Sequence, residues 1–186
     1  MPLSDPTIAA VTGALAELPV TAESQTLSHG TTLLTMSLRL ETQPSRLWEF
    51  LTEPELLATW SPVVPDRVLA VVGPAWSREN PEADPVEARV IEIEPVTVLR
   101  HAWDEGEVLW ELVEESETST RLTLTQTFDQ QEYVPMTAAG WHVCLTVLSL
   151  VLARRDVERV VGEDAMSVGW EALRDAYAKN FDAQSS

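Results

Sequence analysis

Cysteine is all but missing from this chain: Cys144 is the single thiol in 186 residues, which excludes an internal disulfide. Lysine is as scarce, since Lys179 stands alone among 12 basic residues and lies poorly for Schiff-base chemistry. Histidine occurs only as His29, His101 and His142 and, with one cysteine, offers no metal-ligand spacing. The 7 glycines form no phosphate-cradling loop or dinucleotide fingerprint, and no elbow motif marks a nucleophilic serine. No cofactor or metal is therefore implied. Positive charge is short throughout, with 12 basic against 30 acidic residues and a net charge of -18. Such a surface repels phosphate backbones and anionic headgroups, which argues against nucleic-acid or membrane-surface partners. No lysine or arginine precedes Arg39, so the basic start of a signal peptide is missing, and cytoplasmic residence is the plain reading.

What the chain has in excess is tryptophan, 7 against 3 phenylalanines and 2 tyrosines. It also carries one helical stretch, over 137–153, that is apolar around most of its circumference. At roughly 100° per residue, Trp141, Val143, Cys144, Leu145, Val147, Leu148, Leu150, Val151 and Leu152 leave a narrow stripe of His142, Thr146, Ser149 and Ala153. The apolar run is too short and too interrupted to span a bilayer. Cys144 falls on the apolar side and reads as a small buried hydrophobe; His142, on the stripe, reads as solvent-facing. A helix this apolar must be gripped on several sides, and a run of strands precedes it. The expected architecture is α+β: a curved antiparallel sheet of about six strands around a long C-terminal helix.

Before that helix, Ile8, Val11, Leu15 and Leu18 recur at helical spacing until Pro19, so 1–28 reads as an extension with a short helix. Alternation predicts a strand over 31–40. Two short helices follow this first strand, one capped by Ser45 and the next by Thr52, ending at Ser61-Pro62. Strands are predicted over 67–72, 86–94, 96–104, 108–114 and 120–128, with 76–85 as a loop and the Asp104-Glu105-Gly106 run as a turn. A final helix over 168–181 carries Trp170, Leu173, Tyr177 and Phe181 on one face. The main domain is drawn at 29–182, with 183–186 as a tail.

Period-two alternation puts Leu99, His101 and Trp103 on one strand face, and Val108, Trp110 and Leu112 on another. Leu122, Leu124, Gln126 and Phe128 oppose Arg121, Thr123, Thr125 and Thr127. The threonine side suits solvent, so the other faces the helix. His101 and Gln126 are then polar groups on an apolar concave surface, and each needs a partner in protein, water or ligand. His101 reads either as a satisfied core histidine or as a donor or acceptor inside a pocket. Trp60, Trp103, Trp110 and Trp141 read either as core or as the wall of a site for a flat apolar molecule.

Three patches in order resemble the SRPBCC (START-like, helix-grip) superfamily. One runs from Leu47-Trp48 through Leu51-Thr52-Glu53-Pro54-Glu55-Leu56 to Trp60. A second runs from Pro95 through Leu99 to Trp103, then Thr120, Leu122 and Leu124. The third is Gly140-Trp141-His142 with Leu145 and Leu148. Within that superfamily the chain is similar to the branch of the C-terminal domain of the activator of heat-shock-protein-ninety ATPase, over about 31–153. The resemblance implies a cavity between sheet and helix. Its members include ligand carriers, polyketide cyclases and aromatases, and co-chaperone domains. The chain departs from the pattern where Gln126 stands in place of a histidine and where the 76–85 loop lacks glycines.

The leading expectation is a small hydrophobic or aromatic ligand held by Trp60, Leu99, His101, Trp103, Trp110, Leu124, Gln126, Trp141 and Leu145. Under it, Trp110→Ala weakens binding and leaves the domain folded. The alternatives are a cyclase or aromatase-like enzyme with His101 as acid–base group, and a co-chaperone-like interaction module. A homodimer is compatible with all three.

Overall fold

The computed structural model describes residues 2–103 and 106–184. The Asp104-Glu105 part of the expected turn and the end of the tail lie outside them. The elements run α1 (Asp5–Glu17), β1 (Thr21–Thr26), β2 (Thr32–Leu40), α2 (Pro44–Thr52) and α3 (Pro54–Leu57). Then come β3 (Trp76–Ser77), β4 (Val86–Glu87), β5 (Val90–Glu94), β6 (Val98–Trp103), β7 (Gly106–Ser116) and β8 (Ser119–Phe128). The chain closes with α4 (Val134–Leu152) and α5 (Trp170–Gln184), each preceded by a 3₁₀ segment. A six-stranded antiparallel sheet in the order β1-β2-β8-β7-β6-β5 wraps α4, and β3 and β4 pair separately. This is the helix-grip arrangement.

Alternation decides the two faces. Thr32, Leu34, Met36, Leu38 and Leu40 of β2 are buried, as are Leu122, Leu124 and Gln126 of β8. On the outer face Thr35 pairs with Thr125 and Ser37 with Thr123 through their hydroxyls, the cross-strand bonding that stabilises a wet sheet surface. Helix α4, with the 3₁₀ turn before it, is longer and more continuous than the sequence suggested. The most apolar 18-residue window of Gln131–Leu152 has a mean hydropathy of 1.5, and the segment is long enough to cross a bilayer. Here every residue from Trp141 to Leu148 is buried inside the protein. The helix ends at Leu152, where Arg154 turns left-handed (φ 58°) and the Arg155 N–H returns to the Leu150 carbonyl at 2.9 Å, a Schellman-type stop.

Four expectations need correction. The boundary at residue 28 cuts through a hairpin, because β1 pairs with β2 from Thr21↔Ser37 to Thr26↔Thr32. Its edge is covered: Gln184 of α5 accepts from the Ser24 N–H and donates to the Ala22 carbonyl, both at 3.2 Å. Residues 67–72 form no strand. Instead the Arg67 guanidinium donates to the carbonyls of Val68, Val71, Gly73 and Pro74 at 2.7–3.0 Å, holding a loop on which Val71 and Val72 stay exposed. The 76–85 loop starts in β3, and the 86–94 strand breaks into β4 and β5. The two short helices open on Pro44 and Pro54 rather than on caps from Ser45 and Thr52; the Thr52 hydroxyl bonds back to the Trp48 carbonyl.

Candidate functional site

The interior of the grip is filled by its own tryptophans. Trp60, set by the turn after α3 and anchored through its indole N–H to the Phe50 carbonyl at 3.0 Å, meets Trp110 edge-on at 5.9 Å. Trp110 meets Trp141 at 5.3 Å and 89°, and Trp141 meets Trp103 at 5.1 Å and 61°. These are favourable edge-to-face contacts. Trp60, Trp110 and Trp141 are 0%, 2% and 2% exposed. Leu99, Leu124 and Leu145 close the same core.

His101 belongs to that core. Its Nδ1 lies 2.9 Å from the Ala102 carbonyl, which can only accept, so Nδ1 carries the proton. Its Nε2 accepts the Trp110 indole N–H at 3.2 Å. Both nitrogens are engaged and the ring is neutral. Burial pushes its pKa down to about 4, against the opposing bond to Ala102. Of the two readings of His101, the geometry matches the satisfied core histidine.

The second histidine departs from expectation. His142 is buried rather than solvent-facing, because α5 docks on the back of α4 and places the Tyr177 hydroxyl 2.8 Å from its Nδ1. Burial lowers the His142 pKa to about 4 and raises that of Tyr177 to about 12. The His142 Nε2 is buried without a partner. A neutral folded histidine against an unfolded value of about 6.5 contributes stability above that pH, lost as pH falls toward the folded value. Between pH 7 and 4.5 the wild type should lose on the order of 2–3 kcal/mol more than His142→Gln in urea unfolding. Parallel pH curves for the two proteins would contradict the assignment. Cys144 is equally inert: burial raises its thiol to about 12, outweighing the nearby Arg159.

Space for a ligand exists instead at the open end of the grip, on both sides of Trp103. One lobe, of about 330 Å³, lies between the strand ends and the first turn of α4, bounded by Gly106, Gln126, Phe128, Asp129 and Tyr133. The other, of about 320 Å³, lies between α4 and the start of α5, bounded by Gly140, Trp141, Val160, Ala165 and Trp170. Trp103, Met136 and Thr137 belong to both. The lip needs glycine: a Cβ at Gly106 would stand 2.6 Å from the Thr127 carbonyl oxygen. Trp141 ties helix to sheet here, its indole N–H donating to Gln126 Oε1 at 2.7 Å.

Three of the nine predicted site residues, Trp103, Gln126 and Trp141, therefore meet at this groove. Trp60, Leu99, His101, Trp110, Leu124 and Leu145 are the packed layer behind it. Phe128, placed on the inward face by alternation, and Trp170, placed on the apolar face of the last helix, were not among the predicted site residues, nor were Tyr133 and Met136, whose exposed large side chains are a signal only once burial is known. A larger cleft, about 680 Å³, lies outside the grip under β3 and β4, lined by Trp76, Arg78 and Arg159 among others. It contains none of the predicted residues and is walled mostly by loop, with Trp76 of β3 the one strand residue among its described lining. Among the described residues no three histidine, cysteine or carboxylate side chains gather to hold a metal.

Solved structures share this architecture. A conserved protein of unknown function, EF2215 from Enterococcus faecalis, superposes with a TM-score of 0.70 at 18% identity, covering 94% of this chain and 96% of that one. CalU16 from Micromonospora echinospora gives 0.69 at 19% identity in its solution structure, covering 87% and 94%. DynU16, encoded in the dynemicin biosynthetic locus, gives 0.57 at 18%, covering 65% of this chain and 47% of that one. At these identities the likeness establishes the fold. No curated protein matches the chain. Residues 41–153 match the family described as "Activator of Hsp90 ATPase homolog 1-like protein". That span runs from the end of β2 through α4, and the chain belongs to this family, within the SRPBCC superfamily.

Proposed function

We propose that the protein binds a small, flat, hydrophobic molecule in the groove around Trp103. The observation that carries this reading is the contrast between the two ends of the tryptophan chain. Trp60, Trp110 and Trp141 are packed away, whereas Trp103 is half-buried, with Met136 and Tyr133 exposed beside it. Exposed apolar side chains around a concavity are the usual mark of a binding surface, and the two lobes are each of the size that small ligands occupy. That DynU16 is encoded in a biosynthetic locus accords with small-molecule chemistry around this fold. A cyclase-like reading loses its acid–base group, since His101 spends both nitrogens inside the core.

The test is a titration with 9-fluorenone and with fluorene, followed by tryptophan quenching and by calorimetry. Saturable one-site binding with a micromolar dissociation constant is expected. A lack of saturation by either compound up to its solubility limit would contradict the proposal.

A further inference from the structure

Gln126 gives the groove a chemical preference, and this step rests on the binding reading above. The Trp141 indole N–H is a donor and nothing else, so the Gln126 atom that faces it at 2.7 Å must be the carbonyl oxygen Oε1. That bond fixes which way the amide is flipped, a matter otherwise open for a glutamine. With Oε1 held against the helix, the NH₂ group is turned away from Trp141 while Gln126 itself lines the first lobe. Among the described residues Nε2 has no hydrogen-bond partner, yet it is not among the buried atoms left without one. It is therefore a reachable donor held in a set orientation by a buried neighbour.

The charge around it has one sign. No lysine or arginine is among the described lining residues of the first lobe, which Asp129 borders; the second lobe has Glu79, whose backbone carbonyl accepts from the Arg159 guanidinium. A carboxylate or phosphate on a ligand beside Gln126 would meet Asp129 and the overall charge of -18, with no lysine or arginine among the described lining of the first lobe to compensate.

We infer that the groove selects neutral, flat molecules that present a carbonyl or similar acceptor oxygen to the Gln126 NH₂, with the apolar rings against Trp103. Gln126 is thus a specificity-determining residue, and Trp141 is the positioning residue that holds its amide.

9-Fluorenone and fluorene differ by the carbonyl oxygen and supply the test. Their affinity ratio should fall about five-fold on Gln126→Glu at pH 8, the size of one net hydrogen bond. The carboxylate keeps an acceptor for Trp141 and removes the donor. Using a ratio cancels the difference in how the two compounds partition from water. A readout on the unaltered protein guards against a misfolded variant: the carbonyl stretch of bound fluorenone should lie below its position in cyclohexane, as it does in alcohols. An unshifted stretch together with an unchanged ratio overturns the preference and leaves the groove standing. If neither compound binds, the groove reading falls, and this inference with it.

Discussion

Trp110→Ala is expected to cost the fold about 4–6 kcal/mol in urea unfolding at pH 7, a large share of the roughly 5–15 kcal/mol typical of a folded domain. The ring is 2% exposed and stands between Trp60 and Trp141. Truncation leaves a cavity between the Trp60 and Trp141 rings. It also strips the partner from His101 Nε2, a buried acceptor that costs about 1 kcal/mol or more when left alone. Trp110→Phe should recover part of the loss, because one aromatic ring returns to the layer while the five-membered ring and its N–H are missing. Were Trp110 part of a ligand wall over an open cavity, Trp110→Ala would fold almost as well as the wild type and lose only ligand. A destabilisation under about 1 kcal/mol would therefore restore that cavity reading and contradict the filled interior.

Trp103→Ala should behave in the opposite way. Trp103 sits at the last position of β6 and is half-buried. Its removal gives up one edge contact to Trp141 and part of its apolar area, a loss of about 1–2 kcal/mol. Both lobes lose their shared wall. The affinity for 9-fluorenone should drop about thirty-fold, the scale expected for a central aromatic anchor. The pair separates two roles that are indistinguishable in sequence, a tryptophan that holds the fold and one proposed to hold the ligand. Unchanged affinity in a folded Trp103→Ala protein would remove the groove from consideration.

Much of the fold was legible because burial writes itself into period. Strands β2 and β8 alternate cleanly, and α4 is apolar around most of its turn since the sheet, α1 and α5 all pack on it. Strand β1 was not legible. Its sequence, TAESQT, puts only Ala22 against the core, as suits an edge strand held by the β2 ladder and Gln184 rather than by a buried stripe. Residues 67–72 carry the composition of a strand without a partner to pair with, and a single arginine side chain supplies the bonds a neighbour would have given.

The site divides along the same line. That His101 and Gln126 face inward followed from alternation. Which partner each one has did not, since His101 meets Trp110 from the adjacent strand and Gln126 meets Trp141 from the helix. Those pairings depend on register and on how α4 lies across the sheet, neither of which is local in sequence. His142 shows the same limit: its stripe on the helix is polar enough for solvent, and only the docking of α5 buries it.

The most direct test of the central claim uses the 7 tryptophan side chains as reporters. In a ¹H–¹⁵N correlation spectrum each indole N–H gives its own resonance, and 9-fluorenone can be titrated while they are followed. The Trp103 and Trp141 indoles should shift most and saturate together, with Trp170 following more weakly from the second lobe and Trp60 staying in place behind the core. Movement confined to Trp76, which lines the outer cleft, or no saturable shift at Trp103, would contradict a ligand groove at the open end of the grip.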